Sequence, residues 1–116
     1  MATQAKIAEW SAGMGRMREE TPEIVKAFGS MYGALTKEGA LTAREKELIA
    51  LGIGIALRCE GCVWSHVSKS LKMGVTREAI VEAAGVAVMM GGGPVYTTVP
   101  KVLEAIEHFS GEGAAR

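Results

Sequence analysis

The chain has 116 residues, enough for one domain with a modest core. Thirteen basic and thirteen acidic side chains cancel, and aromatic residues make up 5%. A neutral chain with no basic block and few stacking rings is not built for nucleic acid or for an anionic membrane surface.

Strand signals are nearly absent, apolar residues recur at a spacing of about 3.6, and good helix formers dominate. A first helix is predicted over about Thr3 to Glu19. Thr21 is placed to cap a second, with Pro22 at the first helical position, where its missing N–H costs nothing. Ile24, Val25, Phe28, Met31 and Tyr32 give that helix one apolar face, and Gly39 breaks it. Thr42 and Glu45 have the spacing of a capping box, so a third helix starts near Ala43 and runs to about Arg58. "GCVWSHVSKSLKM" reads as a fourth, stopped near Gly74. Thr76 caps a fifth, which Gly91 to Gly93 end. Pro94 opens a sixth, to about His108, and the tail "SGEGAAR" is expected to fray. The expectation is a single all-α domain over 1–116, with about six helices joined as hairpins and a core over about 20–108.

Two of these helices are too apolar for a monomer. Ala79 to Met90 carries only Glu82 as a charge, and Leu48 to Leu57 carries none. A helix apolar all round has to be covered all round, so subunits are expected to cover each other. Gly52 and Gly54 fit close helix approach, since each costs roughly 1 kcal/mol in helix propensity relative to Ala. The longest weakly polar stretch, Ala83 to Tyr96, is interrupted by Gly91, Gly92, Gly93 and Pro94. It falls short of the roughly 20 residues that span a bilayer. "MATQAKIAEW" has no apolar core of signal-peptide length, so the expected location is cytoplasmic.

The chemistry concentrates in "CEGCVWSH". Cys59 and Cys62 are the chain's two cysteines, and His66 is one of its two histidines. In a reducing compartment a CxxC pair is more often metal-binding or catalytic than structural. A thiol reacts as its thiolate, and a helix N-terminus favours the negative sulfur. Cys62 and His66 are four apart and share a helical face, so His66 can take the thiol proton. Cys59 lies close enough to Cys62 to form a disulfide. Zinc is the rival use, but a structural site needs four ligands, no second CxxC is present, and His108 would have to be recruited. Haem attachment needs a histidine where Val63 stands. Buried core cysteines beside an incidental histidine are the plain alternative. His108 suits the C-terminal end of its helix as a cation. Trp64 reads as core or subunit contact, while Met89, Met90 and Tyr96 read as packing or the border of a cleft. Gly91 to Gly93 lack the lysine and hydroxyl of a phosphate-binding loop.

Glu47, then Cys59 twelve residues on, then Cys62 and His66 spell E-x11-C-x2-C-x3-H. This resembles the core motif of the AhpD-like alkylhydroperoxidase group within the carboxymuconolactone decarboxylase family, and the likeness covers about residues 20 to 108. The resemblance implies an all-helical fold assembled as trimers or hexamers. It also implies a dithiol that reduces small hydroperoxides or a partner disulfide. No cofactor or metal is called for, and a small dithiol or a thioredoxin-like protein would supply electrons. Carried over, Glu47 polarises His66, His66 deprotonates Cys62, and Cys59 and Cys62 cycle between dithiol and disulfide. One departure stands out. The AhpD pattern carries a histidine next to the second cysteine, where this chain has Gly61 preceded by Glu60. Glu60 would oppose a nearby thiolate. On residue type alone, Glu47 near a helix start reads as a solvated acid complementing the dipole, and a simple hairpin would leave it far from the turn. The family name supplies the rival activity, a lyase acting on a small carboxylated lactone. That chemistry needs an acid/base and an anion-binding group, for which Arg44, Arg58 and Arg77 are available.

Overall fold

The computed structural model describes residues 2–115, and among them all regular structure is helical. The chain divides into two compact units, meeting between Ala43 and Arg44.

The first unit is a hairpin of α1 (Ala2–Glu20) and α2 (Pro22–Leu35). Thr21 does not cap α2 with its side chain. Its hydroxyl donates backwards to the Met17 carbonyl at 2.8 Å, because a one-residue link leaves it facing the last turn of α1. Pro22 starts α2 as expected. α2 then ends at Leu35, before Gly39, where the Thr36 hydroxyl donates to the Tyr32 carbonyl at 2.7 Å. Of the predicted apolar face, Ile24, Phe28 and Met31 are more than half exposed, while Val25 and Tyr32 are half-buried.

The second unit holds α3 (Ala43–Ala56), α4 (Glu60–Lys72), α5 (Arg77–Gly91), α6 (Gly93–Tyr96) and α7 (Val99–Ala115). Each long helix sends one stripe inward at helical spacing: Leu51 and Ile55 from α3, Val63 and Val67 from α4, Ile80 and Ala84 from α5, Val102 and Ile106 from α7. α4 packs chiefly on α7. Each fully buried Val, Leu or Ile contributes about 1.5–3 kcal/mol relative to an exposed one. Gly74, at φ 84°, ends the α4 turn, and the Thr76 hydroxyl accepts from the Ala79 N–H at 3.1 Å to cap α5.

The predicted sixth helix is two pieces. Pro100 has no N–H to offer the Tyr96 carbonyl, and the Thr98 hydroxyl donates to the Val95 carbonyl at 2.7 Å. The one-turn α6 therefore closes before α7 begins. α7 continues past His108, so the backbone stays helical where fraying was expected. No helix among the described residues is long and apolar enough to cross a membrane.

Candidate active site

α3 and α4 form an antiparallel hairpin whose turn carries the cysteines. The Leu57 and Arg58 N–H groups still bond back into α3, at 2.9 Å each, and Arg58 then turns the chain with φ at 56°. The Cys59 N–H returns to the Gly54 carbonyl at 3.0 Å, which fixes the start of α4 against the end of α3. Cys59 is the N-cap of α4, and its sulfur accepts from the Cys62 N–H at 3.2 Å. The two cysteines are joined as a disulfide, with Cα atoms 5.2 Å apart. The cap position brings their sulfurs together, and the exposed N–H groups of the first turn favour negative charge there.

Gly54 makes this packing possible. A Cβ placed on it would lie 2.9 Å from the Cys62 Cβ, well inside contact distance. From that crossing the helices run apart in sequence but side by side in space. His66, four residues beyond Cys62, meets Glu47, seven residues before Gly54. Glu47 Oε1 is hydrogen-bonded to His66 Nδ1. The distance that matters for Glu47 is thus to a histidine already two turns along α4, not to the loop.

Glu47 is 2% exposed, so the expectation of a solvated first-turn acid does not describe it. It shares a stripe with Leu51 and Ile55, at i, i+4 and i+8. A buried carboxylate is costly unless partnered, and His66 is its partner. An ionised carboxylate can only accept, so the shared hydrogen belongs to Nδ1. A neutral ring then offers Nε2 as the acceptor. Cys62 and His66, four residues apart, share one face of α4.

Glu60, read from sequence as opposing the thiolate, is not alone. Its carboxylate pairs with Lys101 from α7 at 3.1 Å, which offsets its charge. No local signal marks Lys101, since the two are 41 residues apart in sequence. Gly54 did carry a signal, the cost of glycine inside a helix. Trp64 is buried, as a core role requires. His108 stands edge-on to Phe109, with ring centroids 4.8 Å apart. Tyr96 and Met89 are exposed, and Met90 lines an open groove of about 620 Å³ between α3 and α5. Glu82 is the one charged side chain lining that groove. Among the described residues, no group of three or more His, Cys, Asp or Glu is arranged to hold a metal ion.

Residues 22–105 match the carboxymuconolactone decarboxylase family. A crystal structure of a carboxymuconolactone decarboxylase family protein from Legionella pneumophila is similar, with a TM-score of 0.84, 38% identity, and coverage of 94% of this chain and 97% of that one. A protein of the same family from Thermotoga maritima, described as a candidate for the antioxidative response, superposes with a TM-score of 0.73. It is 26% identical, covering 79% of this chain and 95% of its own. An uncharacterised protein from Cupriavidus necator is 33% identical over 100 residues, 86% of this chain and 88% of its own.

Proposed function

The chain belongs to the carboxymuconolactone decarboxylase family, and from that premise we propose that it is a dithiol oxidoreductase reducing hydroperoxides or a partner disulfide. The observation that carries the proposal is the buried Glu47 paired with His66, one helical turn from a cysteine pair at the start of the same helix. In the reduced state His66 Nε2 takes the Cys62 proton, and Glu47 stabilises the imidazolium that results. A thiolate attacks the peroxide, the sulfur–oxygen bond forms as the oxygen–oxygen bond breaks, and the alcohol leaves with a proton. The second thiol then displaces water, closing the disulfide. One hydroperoxide and two thiols become one alcohol, one water and one disulfide. An external dithiol, small or thioredoxin-like, restores the pair. The antioxidative role suggested for the Thermotoga maritima protein agrees with this reading.

The apolar groove between α3 and α5 supports the companion proposal that copies of this chain assemble, as trimers or hexamers. Ile49, Ile53, Val86 and Met90 are about half exposed or more, and contiguous apolar patches of this kind mark interaction surfaces.

The test is thiol trapping with mass spectrometry. Reduced protein is challenged with one equivalent of an alkyl hydroperoxide. Rapid closure of Cys59–Cys62, slowed sharply in His66→Ala, is the expected result. Thiols that stay free and inert would sink the mechanism. A lactone lyase would instead keep its activity in Cys62→Ser.

A further inference from the structure

The turn that carries Cys59 also borders a second cavity, of about 450 Å³, within the size range of small-molecule sites. Its floor is apolar: Ile55, Val63, Trp64 and Val102 all line it and are all buried. Its rim is charged. Arg58 and Glu60, the two chain neighbours of Cys59, both line it, and Lys101 joins them from α7.

The rim charges do not cancel. Glu60 and Lys101 neutralise each other at 3.1 Å. The Arg58 guanidinium has no hydrogen-bond or ion-pair partner among the described residues. Its backbone sits at φ 56°, where glycine or asparagine is at less cost. The cavity therefore presents one uncompensated cation, with a planar fork suited to a carboxylate, above an apolar floor. The α3–α5 groove presents the opposite character, since its one charged lining residue is Glu82.

We propose that this cavity binds a small organic acid, a monoanion with an apolar body. Its carboxylate lies on Arg58 and its apolar part on the Trp64 floor. With Glu60 and Lys101 paired, the single cation left on the rim matches one negative charge rather than two. Because Arg58 precedes Cys59 in the chain, a bound acid lies beside the cysteine pair and can react with it, a statement that rests on the dithiol reading, whereas binding itself does not. If the acid is a hydroperoxide, it leaves as the alcohol with one water while the dithiol closes. If it is a dithiol, its two thiols close to a disulfide and Cys59–Cys62 opens.

Binding is tested without redox chemistry. In a Trp10→Phe background, Trp64 is the remaining tryptophan, and its fluorescence is followed on titration with octanoate or octanol. Octanoate should bind saturably and more tightly than octanol. Arg58→Gln should weaken octanoate by about tenfold or more and leave octanol unchanged, and Arg58→Lys should retain part of the preference. Equal binding of acid and alcohol, no saturation, or indifference to Arg58→Gln would overturn the site. Delivery is tested in two arms. Reduced protein is oxidised with a fatty-acid hydroperoxide or its methyl ester, and oxidised protein is reduced with a dithiol carboxylic acid or its amide. The arm in which Arg58→Gln removes the preference for the acid identifies the ligand as oxidant or reductant. No Arg58-dependent preference in either arm, with turnover intact, would overturn delivery. Octanoate binding with no thiol reaction at all would defeat the dithiol reading and leave the site standing.

Discussion

Two glycines two residues apart in α3 should respond oppositely to alanine. Gly52 has room: a Cβ there would meet the Ala83 carbonyl at 3.9 Å, an ordinary contact. Gly52→Ala should therefore recover most of the propensity difference, about 0.5–1 kcal/mol of added stability. Gly54 has none, because its Cβ would come to 2.9 Å from the Cys62 Cβ. Ordinary carbon contact is about 3.5–4.0 Å, so the hairpin must open by roughly 0.6–1 Å. Overpacking of that kind costs typically 1–3 kcal/mol. Set against the same propensity gain, Gly54→Ala should be destabilising by up to about 2 kcal/mol. It should also slow disulfide closure, because the displaced atom belongs to one of the two cysteines that must meet. Denaturant unfolding at a fixed protein concentration, with assembly state monitored, gives the stabilities, and thiol trapping gives the rate. A Gly54→Ala protein as stable as Gly52→Ala and oxidised at the parent rate would refute the close-approach argument.

Replacing Glu47 by Gln keeps a side chain able to accept from His66 Nδ1 but removes the charge that stabilises the imidazolium. Peroxide oxidation should slow on the order of 10²–10⁴-fold, the usual span for acid–base assistance, while thermal unfolding shifts little; unchanged rates would remove Glu47 from the mechanism. Ile53→Glu places a charge in the apolar groove between α3 and α5 and should reduce assembly size in sedimentation velocity, whereas an unaltered profile would show that the assembly surface lies elsewhere. Arg58→Gly relieves a left-handed residue and should raise stability by about 1 kcal/mol, read by urea unfolding; a loss would mean that Arg58 holds the turn through its side chain.

The helices were legible because caps and breakers act locally. Thr76 caps α5 and Gly74 turns the chain after α4 by interactions within a few residues, so sequence suffices. The break at Thr97–Thr98 was missed because the donor that Pro100 lacks matters only if Pro94 has already started a helix. Thr21 was misread for a related reason: its hydroxyl had a nearer carbonyl, and the length of α1 decides which one it reaches. The cysteines and His66 announced themselves by spacing on one helix. Glu47 did not, because its role depends on the register of two helices across a turn. That register is set by Gly54 against Cys62 and by the Cys59 N–H on the Gly54 carbonyl.

The register also accounts for the apolar character of α3. Its inner stripe, Leu51 and Ile55, is core, and its outer stripe, Ile49, Ile53 and Leu57, faces the groove and solvent. Both stripes exclude charge, so an ion on this helix survives inside only where a partner meets it. Glu47 lies one turn before Leu51 on the inner stripe, at the level where α4 presents His66. One turn further toward the loop it would face Leu51's neighbours, with no base to pair. The same packing that buries the carboxylate therefore fixes it to the imidazole, and a helix with two apolar faces is able to carry one buried acid.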